Sequence, residues 1–328
     1  TAPPGADLPI AFGLYPLLYG LVSAPLENDM RRIRAYSIVN QVGFMIVGIG
    51  IGTEMALNGA AAHAFTHIIY KALLLMSAGS VLYMTGKRKC TDLGGLFQSM
   101  PLTAICGIIG ALAISSFPLT SGFISKSLIS QSAADQQLAF VWFMLVAASV
   151  GVFLHAGIKF PWFVFFQKDS GLRPPDPPLN MRLGMILFAF LCIALGAWPA
   201  PLYDLLPYPV DYAPYTYAHV VTMLQLLLFS GLAFFIMLPY LKRTLTITLD
   251  WDWFYRRLAQ RAAYPLVRAL DAWQRRRRIE TLRHIGNLLG QLFLYHGPQG
   301  VLARTWATGS MVLWVVILLG IYLVAYYY

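Results

Sequence analysis

Three titratable side chains recur at every fourth position in the stretch His63-Ala-Phe-Thr-His67-Ile-Ile-Tyr-Lys71. That spacing drifts only about 40° per step around a helix, so all three would share one face over about 12 Å of axis. Histidine changes charge near neutral pH, and a lysine taken out of water gives up its proton more readily, so a water-bridged line of such groups can hand a proton along. One histidine in apolar surroundings is more often a hydrogen-bonded packing residue. A row of three favours a relay. Lys126 is a second candidate, in Pro118-Leu-Thr-Ser-Gly122-Phe-Ile-Ser-Lys126, where proline, glycine and serines permit an interrupted helix. The alternative is a lysine that snorkels to a polar surface. His155 and Lys159 form another i,i+4 pair and are accessory candidates; snorkelling explains Lys159 about as well as transport does.

The elements that must position these groups follow from composition. Of 328 residues 58% are hydrophobic and 12% charged, against roughly 25% charged in a soluble domain. Apolar runs of about 20 residues recur, each long enough for a hydrocarbon core of about 30 Å. The expected architecture is an all-α polytopic membrane bundle of about eight transmembrane helices, with spans at 8–26, 33–53, 60–84, 101–119, 138–160, 183–202, 217–240 and 305–325. The segment 120–137 is more polar and reads as a broken or re-entrant helix, which survives at membrane depth only inside protein or beside a cavity. A lysine near the bilayer centre costs about 2.5–3.5 kcal/mol on insertion scales, so Lys71 and Lys126 are expected to face the bundle interior.

Basic residues alternate between loops. Arg31, Arg32 and Arg34 follow the first span, Lys87, Arg88 and Lys89 the third, and Lys168, Arg173 and Arg182 the fifth. Glu54, Asp204 and Asp211 fall in the intervening loops. The positive-inside rule then places the basic loops and the segment 241–304 on the cytoplasmic side, with both ends of the sequence outside. Much of the net charge of +10 lies in that segment, including Arg275–Arg278. Anionic lipid is the expected partner there, and nucleic acid is not. Aromatic and leucine positions among the arginines of 250–270 suggest a helix lying along the interface or docking on a neighbouring subunit. The expected organisation is a core over 1–166, additional helices over 167–240, the basic segment over 241–304 and a terminal helix over 305–328.

Soluble enzyme chemistry has no visible seat. Cys90, Cys106 and Cys192 are isolated, and no phosphate loop, nucleophile elbow or metal-ligand motif is present. No metal or cofactor is expected. No carboxylate cluster for a bound cation falls inside a span.

Four sequences occur in order: Ala35-Tyr-Ser-Ile-Val-Asn-Gln41-Val-Gly43-Phe, His63-x3-His67-x3-Lys71-Ala-Leu-Leu, Asp92-Leu-Gly-Gly-Leu96 and Ser121-Gly-Phe-Ile-Ser-Lys126. Together they resemble the antiporter-like subunits shared by respiratory complex I and Mrp-type multisubunit cation/proton antiporters, the D-type component of the Mrp antiporters above all. The likeness is close over 27–126, weaker through the fifth span and slight beyond about 173. It implies a proton-translocating subunit built from inverted repeats of five helices, each with a discontinuous helix, around a central line of hydrated charges. Lys71 matches the family's central lysine, and Lys126 its lysine on the second discontinuous helix. His63 and His67 match histidines joining that line to a water path. Arg31 takes the basic position of an Asp-x-Lys/Arg-Arg pattern that borders the axis or serves topology.

The resemblance further implies an earlier repeat with its own glutamate and lysine, whereas only one span precedes the matching region here. The sequence is therefore expected to be the second part of a longer chain, or a natural half-length subunit whose missing relay another chain supplies. The implied partners are other membrane subunits, protons and Na+ or K+, in a bacterial cytoplasmic membrane. The implied activity is cation/proton antiport, with redox-driven pumping in a complex I-like or hydrogenase-type assembly and a non-conducting scaffold as alternatives. Only in the redox assembly would the chain be part of an enzyme.

Overall fold

The computed structural model describes residues 5–239, 253–297, 300 and 307–327. Among these the secondary structure is helical, without strands. The chain divides into two compact units, Thr1–Thr248 and Leu249–Tyr328.

In the first unit, α1 (Asp7–Leu26) and α2 (Met30–Ile51) form a close hairpin. Their approach depends on small residues: a Cβ on Gly43 would lie 2.6 Å from Leu17 Cβ, inside contact distance. Asp29 caps α2 by accepting from the Arg31 backbone N–H at 2.9 Å. Gly52 ends α2 in the left-handed conformation, φ 73°, and Thr53 caps α3 (Glu54–Thr85) by accepting from the Ala56 N–H. At 32 residues α3 is about 48 Å long, more than one hydrocarbon thickness.

The fourth span departs from its expected form. Helix α4 (Pro101–Ile114) has 14 residues, about 21 Å, too short to cross. Helix α5 (Ser121–Asp135) continues the crossing rather than re-entering. Both lie along α3 in the opposite sense: Gly107 and Gly110 of α4 meet Ser77 and Leu74, and Leu128 and Ile129 of α5 meet Gly59. Thr53 Oγ1 and Ser132 Oγ are 2.5 Å apart at the far end. The two helices are thus one discontinuous helix, broken at 115–120. Two non-glycine residues of the break, Ser116 (φ 60°) and Leu119 (φ 66°), are left-handed, a conformation that costs roughly 1–2 kcal/mol per residue. Gly122 lets α5 start against the end of α4, because a Cβ there would overlap the Ala113 carbonyl oxygen.

Helix α6 begins at Ala139–Val152 and runs on through π-helical turns at Phe153–Lys159 and Trp162–Phe166, together one span of 28 residues. Helix α7 (Leu179–Ala197), a short α8 (Ala200–Tyr203) and α9 (Tyr217–Met237) complete the unit. Helix α7 packs on α3 and α4, and α9 packs on the π-helical turn of α6.

Loop contacts give the unit two distinct faces. Asp29 pairs with Lys89 as an isolated bridge, Arg88 is ion-paired to Asp29 at 3.2 Å, and Ser170 donates its N–H to the Gly94 carbonyl. The three basic loops therefore lie on one face, as the charge alternation requires. On the other face Asn58 Nδ2 donates to the Tyr208 carbonyl at 2.8 Å. Arg173 holds the Asp169 carboxyl down to about 2 through its hydrogen bond, on the basic face. Arg34, counted among the loop charges by sequence, is instead buried within α2.

In the second unit, α10 (Gln260–His296) is 37 residues long and α11 (Thr308–Tyr327) is apolar and long enough to span a membrane. The helical course begins at Phe254, so the amphipathic stretch expected over 250–270 is the start of a much longer helix. Residues 240–252 lie outside the described residues. Seven helices among the described residues are long and apolar enough to cross a membrane, and the chain is an integral membrane protein.

Two substitutions test this architecture. Gly122→Ala should destabilise the purified protein by about 1–3 kcal/mol through overpacking at the break, while Gly79→Ala, whose Cβ meets nothing within 4 Å, should leave thermal unfolding in detergent unchanged. Asp176 accepts from the backbone N–H groups of Leu102 and Thr103 at 3.2 and 3.1 Å and so caps α4 from a distant loop. Asp176→Ala should cost about 1 kcal/mol in the same assay, the usual loss of an N-cap.

Candidate functional site

The row on α3 faces inward as its spacing predicts. His63 is 0% exposed, His67 9% and Lys71 4%, and Lys126 on α5 is 3% exposed. Neither lysine is left without a partner. Lys71 Nζ donates to the Arg34 carbonyl at 3.1 Å and to Ser37 Oγ. Lys126 Nζ donates at 2.7 Å to the carbonyl of Ile114, the last residue of α4. The break supplies that oxygen, since the last carbonyls of a helix lack intrahelical partners and its C-terminal end carries partial negative charge. Lys126 also lies 4.8 Å from the centre of the Phe44 ring, within cation–π range.

Neutral polar groups join the rows on α3 and α5. His63 Nδ1 is 3.0 Å from Ser125 Oγ, to which Thr66 Oγ1 also donates. On its other side His63 Nε2 is 3.4 Å from Tyr70 Oη, which donates to Gln41 Oε1 at 2.9 Å. Gln41 in turn donates to Asn40 Oδ1, and Asn40 to the Leu17 carbonyl. Because Tyr70 gives its one hydroxyl proton to Gln41, a neutral His63 bonded to it donates from Nε2 and accepts from Ser125 at Nδ1. His67 packs against both His63 and Tyr70, with ring centres 6.2 and 5.4 Å away. A cavity of about 20 Å³ adjoins Lys126, lined by Ser116, Ser127, Ser130, Ser149 and His219 among others; that is room for about one water, with ample polar partners.

The remaining candidates separate. Arg31 is exposed in the first turn of α2. Arg34, one turn on, is 2% exposed, its guanidinium stacked over Phe160 at 3.8 Å and its carbonyl holding Lys71. His155 is fully buried on the π-helical turn, and Lys159 donates to the carbonyls of Pro25 and Glu27. Arg34, Gln41, Tyr70 and Ser125 escape a reading of the sequence alone. The signal for Arg34 is a cation four residues into a helix whose neighbours are apolar; the three neutral groups fall inside the stretches that carry the resemblance, which gives them no individual role.

Residues 8–153 match the transmembrane family described as NADH:quinone oxidoreductase/Mrp antiporter. A probable K(+)/H(+) antiporter component, of A/B type, from Rhizobium meliloti (strain 1021) is 31% identical over 195 residues, covering 57% of this chain and 20% of that one. The D-type component of the Na(+)/H(+) antiporter of Alkalihalophilus pseudofirmus is 30% identical over 194 residues, 57% of this chain and 38% of the relative. The chain thus spans well under half the length of these relatives. Among solved structures, the membrane-bound sulfane sulfur reductase, an archaeal respiratory membrane complex, has a chain that shares the fold at a TM-score of 0.60 and 23% identity over 97% of this chain and 56% of its own. Over residues 8–153 this chain is therefore similar to the NADH:quinone oxidoreductase/Mrp antiporter transmembrane family.

Proposed function

We infer that this chain is the proton-translocating subunit of a multisubunit monovalent cation/proton antiporter, in a bacterial cytoplasmic membrane. The observation that carries the reading is the polar link His63–Ser125, which joins α3, bearing Lys71, to α5, bearing Lys126, beside the break in the α4–α5 crossing. Protons reach this row through water, pass among His63, His67, Lys71 and Lys126, and alter the charge on each neighbour in turn. At about 7 Å and an effective dielectric of about 20, two unit charges interact by about 2.4 kcal/mol, enough for occupancy at one lysine to bias the next. Likeness to antiporter components supports the Na+ or K+ exchange. Neighbouring membrane subunits complete the relay, and anionic lipid meets the arginines of α10.

A second reading, proton pumping in a redox-driven assembly, is favoured by the fold shared with the respiratory complex over almost the whole chain. The two readings differ in what drives the flux. Proton movement driven by an imposed Na+ or K+ gradient without an electron donor marks antiport; movement only on adding a donor marks redox pumping. In vesicles holding the full assembly, Lys71→Ala and Lys126→Ala should each lower proton flux by about a hundredfold, within the range for loss of a positioned proton-transfer group. Wild-type flux in both assembled variants would replace the relay with a non-conducting scaffold role.

A further inference from the structure

His155 is 0% exposed, and neither ring nitrogen has a hydrogen-bond partner among the described residues. A buried imidazole so placed forgoes about 1–3 kcal/mol per unmet group, an outlay that packing alone does not explain. It lies on the π-helical turn Phe153–Lys159, and such turns concentrate at functional sites. The turn abuts the break: a Cβ on Gly157 would sit 2.6 Å from Ser115 Oγ, and Ser115 follows Ile114, whose carbonyl holds Lys126.

Positive charges on three helices act on His155 through space: Lys71 on α3, Lys126 on α5 and Lys159 on its own helix. Arg34 of α2 flanks the same helix over Phe160. One turn toward the basic face, Lys159 Nζ donates to the Glu27 carbonyl at 2.6 Å and to the Pro25 carbonyl. Glu27 is 4% exposed, and its carboxylate pairs with the half-exposed Arg32 at 3.3 Å. Among the described residues Glu27 is the one buried carboxylate. His155 therefore sits on the turn that abuts the break, and one turn further on Lys159 reaches the end of α1 beside the buried Glu27.

We propose that His155, Lys159 and Glu27 form a side branch through which protons pass between the central lysine row and the basic face of the membrane. This inference rests on the relay reading above and adds a port to it. Each hop breaks one N–H bond at a lysine or imidazole nitrogen, or one O–H bond at a water or the Glu27 carboxyl, and forms one such bond at the next acceptor, with bridging water where the groups do not touch, and no electrons change hands. His155 is the loading site. Lys159, pinned by the end of α1, sets the field at the mouth, and Glu27 draws protons to it.

The test uses the full assembly in vesicles and compares His155→Gln, His155→Lys, Glu27→Gln, Lys71→Ala and Lys126→Ala, each checked for assembly. His155→Gln keeps the shape and removes the proton site, so flux should fall about tenfold or more, while His155→Lys restores conduction with a displaced pH profile. Glu27→Gln keeps the contact to Arg32 and should lower flux several-fold, most at low proton supply on the basic face. Wild-type flux in both His155→Gln and Glu27→Gln, with the two lysine variants inactive, overturns the branch and leaves the relay standing. Wild-type flux in all five overturns the relay and the branch with it. If His155→Gln fails to assemble, Glu27→Gln decides alone.

Discussion

A cation held inside a membrane must be solvated by the protein, and the first unit is arranged around that requirement. Lys71, Lys126 and Lys159 all donate to main-chain carbonyls. Two of the three use the end of a helix, where carbonyls are unspent and the local potential favours positive charge. Lys126 needs such an end in the middle of the bundle, which a continuous helix cannot offer. The break between α4 and α5 provides it, and the two left-handed residues at Ser116 and Leu119 are the strain that accompanies it. Gly122 and the crowded serines beside it follow from the same need, since the chain must turn there without exposing unpaired backbone to lipid.

The same constraint explains which parts of the fold are legible in the sequence. Long apolar runs define spans because hydrocarbon tolerates little else, and the first, fifth and seventh spans begin within a residue of expectation. The fourth reads as continuous to 119 because Phe117, Pro118 and Leu119 prolong the apolar run past Ile114, and hydropathy carries no information on where backbone hydrogen bonding stops. The lysines are legible as costly charges. Arg34 is not, because it closes a basic cluster that reads as a loop, and only the packing of Phe160 over its guanidinium reveals it as buried. Ser125, Tyr70 and Gln41 are neutral and common in helices; their roles arise from the meeting of α2, α3 and α5, which no local pattern encodes. Glu27 sits at a helix end in sequence and becomes buried only through the opposing loops.

The chemistry of the site is set as much by what surrounds it as by its members. Three basic side chains, Arg34, Lys71 and Lys126, are buried in one interior, with the partly exposed Lys159 and a single buried carboxylate at its edge among the described residues. On the proposed relay reading, such an interior passes protons rather than stores a metal cation, which would need a shell of carboxylate or carbonyl oxygens free to ligate it. Here the carbonyls nearest the row are already taken by lysines. A proton needs no shell; it needs acceptors at hydrogen-bond spacing and a field that changes as it moves. His63, flanked by Ser125 on one side and Tyr70 on the other, meets the first condition. The lysines meet the second, because each is held by a neutral oxygen rather than by a counter-ion, so the charge on one is felt by the next without being cancelled locally.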